Sequence, residues 1–253
     1  MPSKPLRLGI LVPSSNTALE PLTHSLISSL PNNSNPSAPT VTVHFSRFAV
    51  TTISLSPASI KQFDLPAILA AAQLLAHAEV DIIGWGGTSA GWLGFQHDEE
   101  LVRAVTAATG VPTTTSVVAL NKALQLFNVK RLGLVTPYLD DVQEAIIKNY
   151  AGAGIDISLG MERHLGVAKN TDIAVIGEKV LDELVREVVE GTEAEAVTTF
   201  CTNWVAAQRV EYWEGRWGLP VFDTVSVVVW DMLRMGGFDV KTVKGWGSLF
   251  KKS

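Results

Sequence analysis

Short apolar runs alternate with longer segments in which apolar residues recur at helical spacing, over most of the chain. This alternation is typical of βα units that form a parallel sheet. The pattern predicts strands at residues 8–12, 41–45, 80–85, 113–115, 131–136, 155–159, 196–200 and 221–223. It predicts helices at residues 17–30, 64–78, 98–109, 117–127, 140–153, 172–190, 204–217 and 225–235. The expected fold class is therefore α/β.

Four aspartates stand where predicted helices begin, and each is expected to act as an N-cap: Asp64, Asp98, Asp140 and Asp172. Residues 31–39 are rich in Asn, Ser and Pro, which is typical of a surface loop.

The second half of the chain resembles the first, and the first matching pair of segments is offset by 124 residues. Three pairs of segments match in the same order: 7–13 with 131–137, 85–89 with 200–203, and 110–118 with 218–226. The repeat predicts two pseudo-symmetric lobes, each a mainly parallel four-stranded sheet flanked by helices. The first lobe is expected to comprise residues 1–115 plus 222–253, and the second residues 116–221.

Ligands of parallel α/β folds bind at the carboxyl ends of the strands. This rule selects four polar loops, at residues 13–17, 86–90, 136–138 and 201–203. Two facing lobes would bring these loops together, so we expect the active site in the cleft between the lobes.

The composition excludes several classes of protein. Of the 253 residues, 47% are hydrophobic and 18% charged, which excludes disorder, and a net charge of −5 does not suggest nucleic-acid binding. A single cysteine excludes a disulfide scaffold and favours a reducing compartment. No signal peptide and no apolar run of membrane-spanning length is found. We therefore expect a cytoplasmic protein without a membrane partner.

Cys201 follows the apolar run at 196–200 and precedes Thr202 and Asn203. If the next helix begins at once, its N–H groups and dipole lower the pKa of the thiol. Such a thiol can donate a proton or act as a nucleophile near neutral pH. The alternative is a buried structural cysteine, which is a common fate of this residue.

Hydroxyl groups follow three other predicted strands. Residues 86–91 (Gly-Gly-Thr-Ser-Ala-Gly) contain Thr88 and Ser89, which could donate to a carboxylate or an oxyanion. Residues 13–17 (Pro-Ser-Ser-Asn-Thr) suit anion binding, and Tyr138 offers a phenolic donor. The alternatives are helix capping for the two loops and a packed aromatic side chain for Tyr138.

Motifs of other chemistries are missing from the sequence. The five histidines are scattered, with no HxH or HExxH pair, so no metal site is predicted. Neither a GxxxxGK[ST] nor a GxGxxG nucleotide-binding motif occurs.

Taken together, residues 9–17 (Gly-Ile-Leu-Val-Pro-Ser-Ser-Asn-Thr), Thr-Pro-Tyr at 136–138, Asn170 and Cys201 resemble the aspartate/glutamate/hydantoin racemase superfamily. Within it, the chain is similar to the arylmalonate decarboxylase and maleate cis–trans isomerase branch, over residues 8–235. The resemblance implies two pseudo-symmetric lobes, an active site between them and no cofactor.

Racemases and isomerases of this superfamily use two cysteines, one from each half, on opposite faces of the substrate. At the first of these positions this chain has Gly87, followed by Thr88 and Ser89, and the first half contains no cysteine. A Gly-Thr-Ser loop with a single cysteine is the pattern of arylmalonate decarboxylase. The resemblance therefore implies that Cys201 protonates its substrate from one face only.

In that reaction a malonate loses CO₂ and leaves an enediolate. By resemblance, Thr88, Ser89, Tyr138 and the backbone after Cys201 would form a dioxyanion hole around the retained carboxylate. The departing carboxylate would lie in an apolar pocket. Three tryptophans are close enough to the predicted loops to line an apolar pocket: Trp85, Trp92 and Trp204. The implied catalytic residues are Cys201, Thr88 and Ser89. The implied substrate-binding residues are Pro13, Ser14, Asn16, Gly87, Tyr138, Asn170 and Thr202.

Two alternatives stay open. Asn170 resembles an asparagine that binds a carboxylate in the isomerase branch, so a maleate isomerase-like or racemase-like enzyme could use a hydroxyl or water in place of the first cysteine. The other alternative is an inactive carboxylate-binding protein. In every case the expected partner is a small carboxylic acid, and a homo-oligomer is possible.

Overall fold

The computed structural model describes residues 4–31, 40–158 and 160–252, and within them eight strands form two parallel four-stranded sheets. The strands of the first sheet are β1 (Leu6–Pro13), β2 (Val41–Phe48), β3 (Ile82–Trp85) and β4 (Thr113–Thr115), in the order β2-β1-β3-β4. Those of the second are β5 (Leu132–Thr136), β6 (Glu162–His164), β7 (Ala196–Thr199) and β8 (Val221–Asp223), in the order β6-β5-β7-β8. The two orders are equivalent, which confirms the predicted α/β fold of two pseudo-symmetric halves.

Helices cover the sheets and connect their strands. They are α1 (Leu19–Ser28), α2 (Pro57–Ile60), α3 (Leu65–His77), α4 (Ala90–Leu93), α5 (Phe95–Thr109), α6 (Ser116–Leu126), α7 (Asp140–Gly152), α8 (Asn170–Ile173), α9 (Glu178–Val189), α10 (Val210–Trp217) and α11 (Thr224–Met235). None of the helices in the described part of the chain is long and apolar enough to span a membrane.

The predicted internal repeat corresponds to equivalent structural elements. Gly110 and Gly218 end α5 and α10 in the left-handed conformation, with φ of 71° and 68°, and each leads into an edge strand. Glycine adopts this conformation without the steric cost of a Cβ atom. After the edge strands, Thr115 and Asp223 cap α6 and α11 with their side chains.

α11 connects the two halves. It starts at the end of β8 in the second sheet, but it packs against α1 and β3 of the first half and against α6. Ten of its twelve residues are buried, among them the polar Thr224, Ser226 and Asp231. The proposed lobe boundaries, 1–115 plus 222–253 and 116–221, stay a prediction.

Three predicted elements differ from the structure. The segment 155–158 forms only an isolated bridge at Asp156, and the edge strand β6 comes later, at a half-buried segment without a strong apolar run. Leu159, the last residue of the predicted strand, lies outside the described residues, as do residues 32–39 of the predicted loop. The helix predicted at 172–190 is two helices, α8 and α9, and the one predicted at 204–217 begins only with a 3-10 turn at Ala207–Arg209.

The predicted aspartate caps are wrong as well. Asp64 occupies an N-cap position, but its side chain makes no capping bond. Asp140 and Asp172 lie inside α7 and α8. Asp98 lies in the first turn of α5, which starts at Phe95, and its carboxylate is buried and accepts a hydrogen bond from Thr115 Oγ1.

Burial raises the pKa of the Asp98 carboxyl from 3.8 to about 7, although the hydrogen bond from Thr115 opposes the shift. The folded state therefore holds a proton that the unfolded chain releases near pH 4. The resulting stabilisation is complete below about pH 4 and is lost as the pH rises through 7.

We expect Asp98→Asn to gain stability relative to the native chain between pH 4 and pH 8. A three-unit pKa shift corresponds to up to about 4 kcal/mol of unfolding free energy, measured by urea denaturation at each pH.

Asp81→Asn is the matched control, and its effect on stability should have the opposite sign. Burial by itself raises the pKa of Asp81, but hydrogen bonds from Lys4 and the Arg7 N–H hold it below its ordinary value. Equal pH profiles for Asp98→Asn and the native chain would contradict the assignment.

Candidate active site

The loops at the carboxyl ends of β1, β3, β5 and β7 meet between the two sheets, as the sequence predicts. Their side chains are joined by hydrogen bonds from one half to the other. Asn16 Nδ2 donates to Thr202 Oγ1 over 3.2 Å, and Thr202 Oγ1 donates to the carbonyl of Gly86 over 2.9 Å. The loops of the two halves are therefore in direct contact.

A hydroxyl, a phenol and a thiol lie together at the centre of this contact. Thr88 Oγ1 and the Tyr138 hydroxyl share a hydrogen bond of 2.8 Å, and the phenol and the Cys201 thiol are close enough to shift each other's pKa. The Trp92 ring packs edge-on against Tyr138, with the ring centroids 5.1 Å apart. Three polar groups that the sequence places 50 or more residues apart thus converge on one point.

Cys201 does not have the low pKa that its place in the sequence suggests. The segment after it is a series of turns rather than a helix, so no helix N-terminus is present to favour the thiolate. Burial raises the pKa of the thiol to about 12, hydrogen bonds from Tyr138 and the Asn203 N–H oppose the shift, and nearby Asp223 adds to it. At neutral pH Cys201 is a protonated thiol, the form that can donate a proton.

Burial also sets the state of the phenol. It raises the pKa of Tyr138 well above 10, the interaction with Cys201 raises it further, and the hydrogen bond to Thr88 opposes the shift. Tyr138 is thus a neutral O–H donor over the whole physiological range.

Asn203 connects the two halves through its side chain. Its Oδ1 accepts hydrogen bonds from the backbone N–H groups of Thr17 and Ala18, and its Nδ2 donates to the carbonyl of Asn170 over 2.6 Å. Only 1% of Asn203 is exposed. Asn203 lies in a loop that the sequence predicts to bind the ligand, but the sequence pattern does not predict a role for its side chain. The internal repeat carries a signal for such a role, because Asn203 follows Thr202 as Ser89 follows Thr88.

The two other asparagines use their amide groups within the protein. Asn16 Oδ1 accepts from the N–H groups of Ala18 and Leu19, so Asn16 caps the start of α1. Asn170 Nδ2 donates to Ser15 Oγ over 2.8 Å, across the two halves. Both amides lie at the site, but a substrate carboxylate would have to replace these internal partners.

The remaining predicted residues border the same cluster. Pro13 ends β1, and Ser14 is exposed, with its hydroxyl bonded to the backbone of Val50. Ser89 starts α4 without a side-chain capping bond and is 6% exposed. It lines a cavity of about 70 Å³ together with Trp85, Phe63, Ile68, Leu93 and Asp98, among others.

The central residues are closed to solvent. Thr88, Tyr138 and Cys201 are each at most 4% exposed. Beside them, backbone hydrogen bonds join the halves: Ile53 N–H donates to Ala168 over 2.9 Å and Asn170 N–H to Thr51 over 3.2 Å. A ligand can therefore reach the thiol only if surrounding residues move. Among the described residues no group of three or more metal-ligating side chains occurs.

Comparison with known proteins identifies related chains. The family model for arylmalonate decarboxylase matches residues 31–250. An arylmalonate decarboxylase of Bordetella bronchiseptica is 28% identical over 174 residues, which cover 68% of this chain and 72% of that protein. A maleate isomerase of Nocardia farcinica is 27% identical over 256 residues, which cover 97% of this chain and 96% of that protein.

The fold of this chain also matches that of a solved maleate cis–trans isomerase structure. A mutant of the Nocardia farcinica maleate cis–trans isomerase, in which a cysteine is replaced by serine, superposes with a TM-score of 0.84 at 24% identity. The match covers 96% of this chain and 97% of that one. That mutant carries a covalently bound succinylcysteine intermediate.

The raised pKa and the burial of Cys201 predict a slow reaction with thiol reagents. A shift from 9.0 to about 12 lowers the thiolate fraction about 10³-fold at neutral pH, so we expect modification by a disulfide reagent to be at least about 10³-fold slower than in the urea-unfolded chain. Because Cys201 is the single cysteine, the released chromophore reports this thiol alone. Equal rates for the folded and unfolded chains would contradict a buried, protonated thiol.

Proposed function

This chain belongs to the arylmalonate decarboxylase family, and we propose that it is a cofactor-independent decarboxylase of a malonate-type or related dicarboxylic acid. The observation that carries the proposal is the state of Cys201. It is the single cysteine, it is buried as a neutral thiol, and it lies beside a neutral phenol in the cleft between the halves.

The reaction breaks the bond between the α-carbon and one carboxylate, which leaves as CO₂. The electron pair of that bond stays on the α-carbon and delocalises into the retained carboxylate, forming an enediolate. The Cys201 thiol then donates its proton to the α-carbon. The thiolate that remains recovers a proton from water, which restores the enzyme.

The enediolate carries its negative charge on two oxygens, so its formation depends on hydrogen-bond donors held in place. We assign this role to the hydroxyls of Thr88, Ser89 and Tyr138 and to the backbone that follows Cys201. In the closed structure Thr88 and Tyr138 bond to each other, and a bound carboxylate would take the place of that bond. Removing one donor of this kind typically lowers the rate about 10²–10³-fold.

A high thiol pKa suits proton donation better than nucleophilic attack. The enediolate is a strong base that forms inside a closed site, so a weakly acidic thiol can protonate it. A nucleophile, by contrast, has to be a thiolate, and burial keeps Cys201 protonated.

The second candidate is a maleate isomerase-like activity, favoured by relatives with that name that align over nearly the whole chain. In the Nocardia farcinica mutant a cysteine other than the replaced one forms the succinyl adduct. The present chain has one cysteine, so besides Cys201 it has no second thiol that could take part in an isomerase reaction of this kind.

The expected small-acid partner, cytoplasmic location and possible homo-oligomer stay predictions.

We expect the purified protein to release CO₂ from 2-methyl-2-phenylmalonate or from another member of a panel of aryl and alkyl malonates. In D₂O the product should carry one deuteron at the α-carbon, with one handedness, as measured by mass spectrometry and chiral chromatography. Cys201→Ala should lower turnover about 10²–10⁴-fold, because it removes the general acid.

Thr88→Val tests the oxyanion donors, with an expected loss of about 10²–10³-fold in kcat. Thr40→Val, at an exposed threonine, is the matched control and should leave kcat unchanged. Conversion of maleate to fumarate without CO₂ from any malonate would establish the isomerase alternative. Binding of malonates without turnover of any substrate would establish the inactive carboxylate-binding alternative.

A further inference from the structure

Gly87 and Cys201 are equivalent positions in the two halves. In register, Trp85 of β3 pairs with Thr115, and Thr199 of β7 pairs with Asp223. Trp85 and Thr199 end their strands, and Gly87 and Cys201 each come two residues later. Because the two loops face each other across the cleft, side chains at these positions approach a bound molecule from opposite sides.

The space that a side chain at position 87 requires is filled by Trp85. A Cβ atom on Gly87 would overlap Cζ2 and Cε2 of the indole and lie 2.7 Å from Cη2, closer than real Cβ contacts. The indole is a rigid ring, 1% exposed, and it packs against Phe48 with the centroids 5.0 Å apart. The φ of Gly87 is not positive, so the reason for glycine here is steric.

The indole also presents an unused donor at this place. Its Nε1 is buried and has no hydrogen-bond partner among the described residues. This nitrogen is bonded to Cε2, one of the atoms that a Cβ on Gly87 would overlap, so it lies close to the position that such a Cβ would take. A buried N–H without a partner is unfavourable, and a ligand oxygen at this position would satisfy it.

We infer that Trp85 is a specificity-determining residue, because it closes the substrate face opposite Cys201. The ring excludes water and any second acid from that face, and its N–H donates to the carboxylate that the product retains. This inference rests on the proposed decarboxylase function and extends it. Protonation from one face of the substrate then has two causes. The Cys201 thiol lies on one side, and the Trp85 indole covers the other.

Thermal unfolding tests the packing without using activity. Gly87→Cys should lower Tm by about 5 °C or more, because the new side chain displaces the indole. In a Trp85→Leu background, Gly87→Cys should lower Tm by less than half as much. A Trp213→Leu background, which loses a buried tryptophan from α10, is the matched control, and in it Gly87→Cys should cause the full decrease in Tm. An equal decrease in Tm in all three backgrounds would overturn the inference.

Stereochemistry tests the functional role. The Trp85→Leu/Gly87→Cys double variant should exchange the α-hydrogen of 2-phenylpropionate in D₂O at least about 10-fold faster than Gly87→Cys alone, with loss of handedness. Equal exchange in the two variants would show that Trp85 does not block this face. If no variant releases CO₂ but the Tm coupling holds, the proposed function fails and the placement of Trp85 stands.

Trp85→Phe tests the donor, since it keeps a ring and removes the N–H. We expect the affinity for 2-phenylpropionate, measured by titration calorimetry, to fall about 10-fold. Unchanged affinity would overturn the assignment of the indole N–H to the carboxylate.

Discussion

The hydrogen bonds of the Asn203 side chain hold the two halves of this protein in one arrangement. The carboxamide is nearly fully buried, and it pairs with backbone groups at the start of α1 and at Asn170. Buried amides without partners are costly, so the halves cannot separate here without exposing several polar groups. The donors and the thiol of the site come from loops of both halves. Their relative positions therefore depend on this contact.

The closed site explains the chemistry that we propose. Burial keeps Cys201 and Tyr138 protonated, so both groups are donors at neutral pH. Donors held in place before the charge develops need no reorganisation during the reaction, and this is how a protein can stabilise an enediolate without a cofactor. Burial also implies that substrate entry and product release require movement. The backbone hydrogen bonds near Thr51 and Ala168 join the halves beside the site.

The pseudo-symmetry of the fold is broken where the chemistry requires it. Thr88 and Thr202 are equivalent, and Ser89 matches Asn203. At the preceding position one half has Gly87 and the other Cys201. The strand ends differ in the same way: Trp85 fills the space beside Gly87, whereas Thr199 donates its hydroxyl to buried Asp223. A duplicated scaffold thus supplies two similar loops, and they differ at the two positions to which we assign opposite roles, Gly87 and Cys201.

The sequence by itself determined the repeat, seven of the eight strands, most of the helices and the four loops of the site. These follow from apolar periodicity and from glycine and proline at turns, which are local properties. It missed β6, which is half-buried and lacks an apolar run, and it assigned caps to aspartates by position alone. It also predicted a lowered thiol pKa for Cys201, because the next helix was expected to begin at once. The tertiary structure decided the protonated state of Cys201, the role of Asn203 and the placement of Trp85 over Gly87. Burial set the first of these, and packing within the first half set the third. The second depends on contacts between the halves, because Asn203 bonds to the backbone of Thr17 and Ala18, more than 100 positions away in the chain.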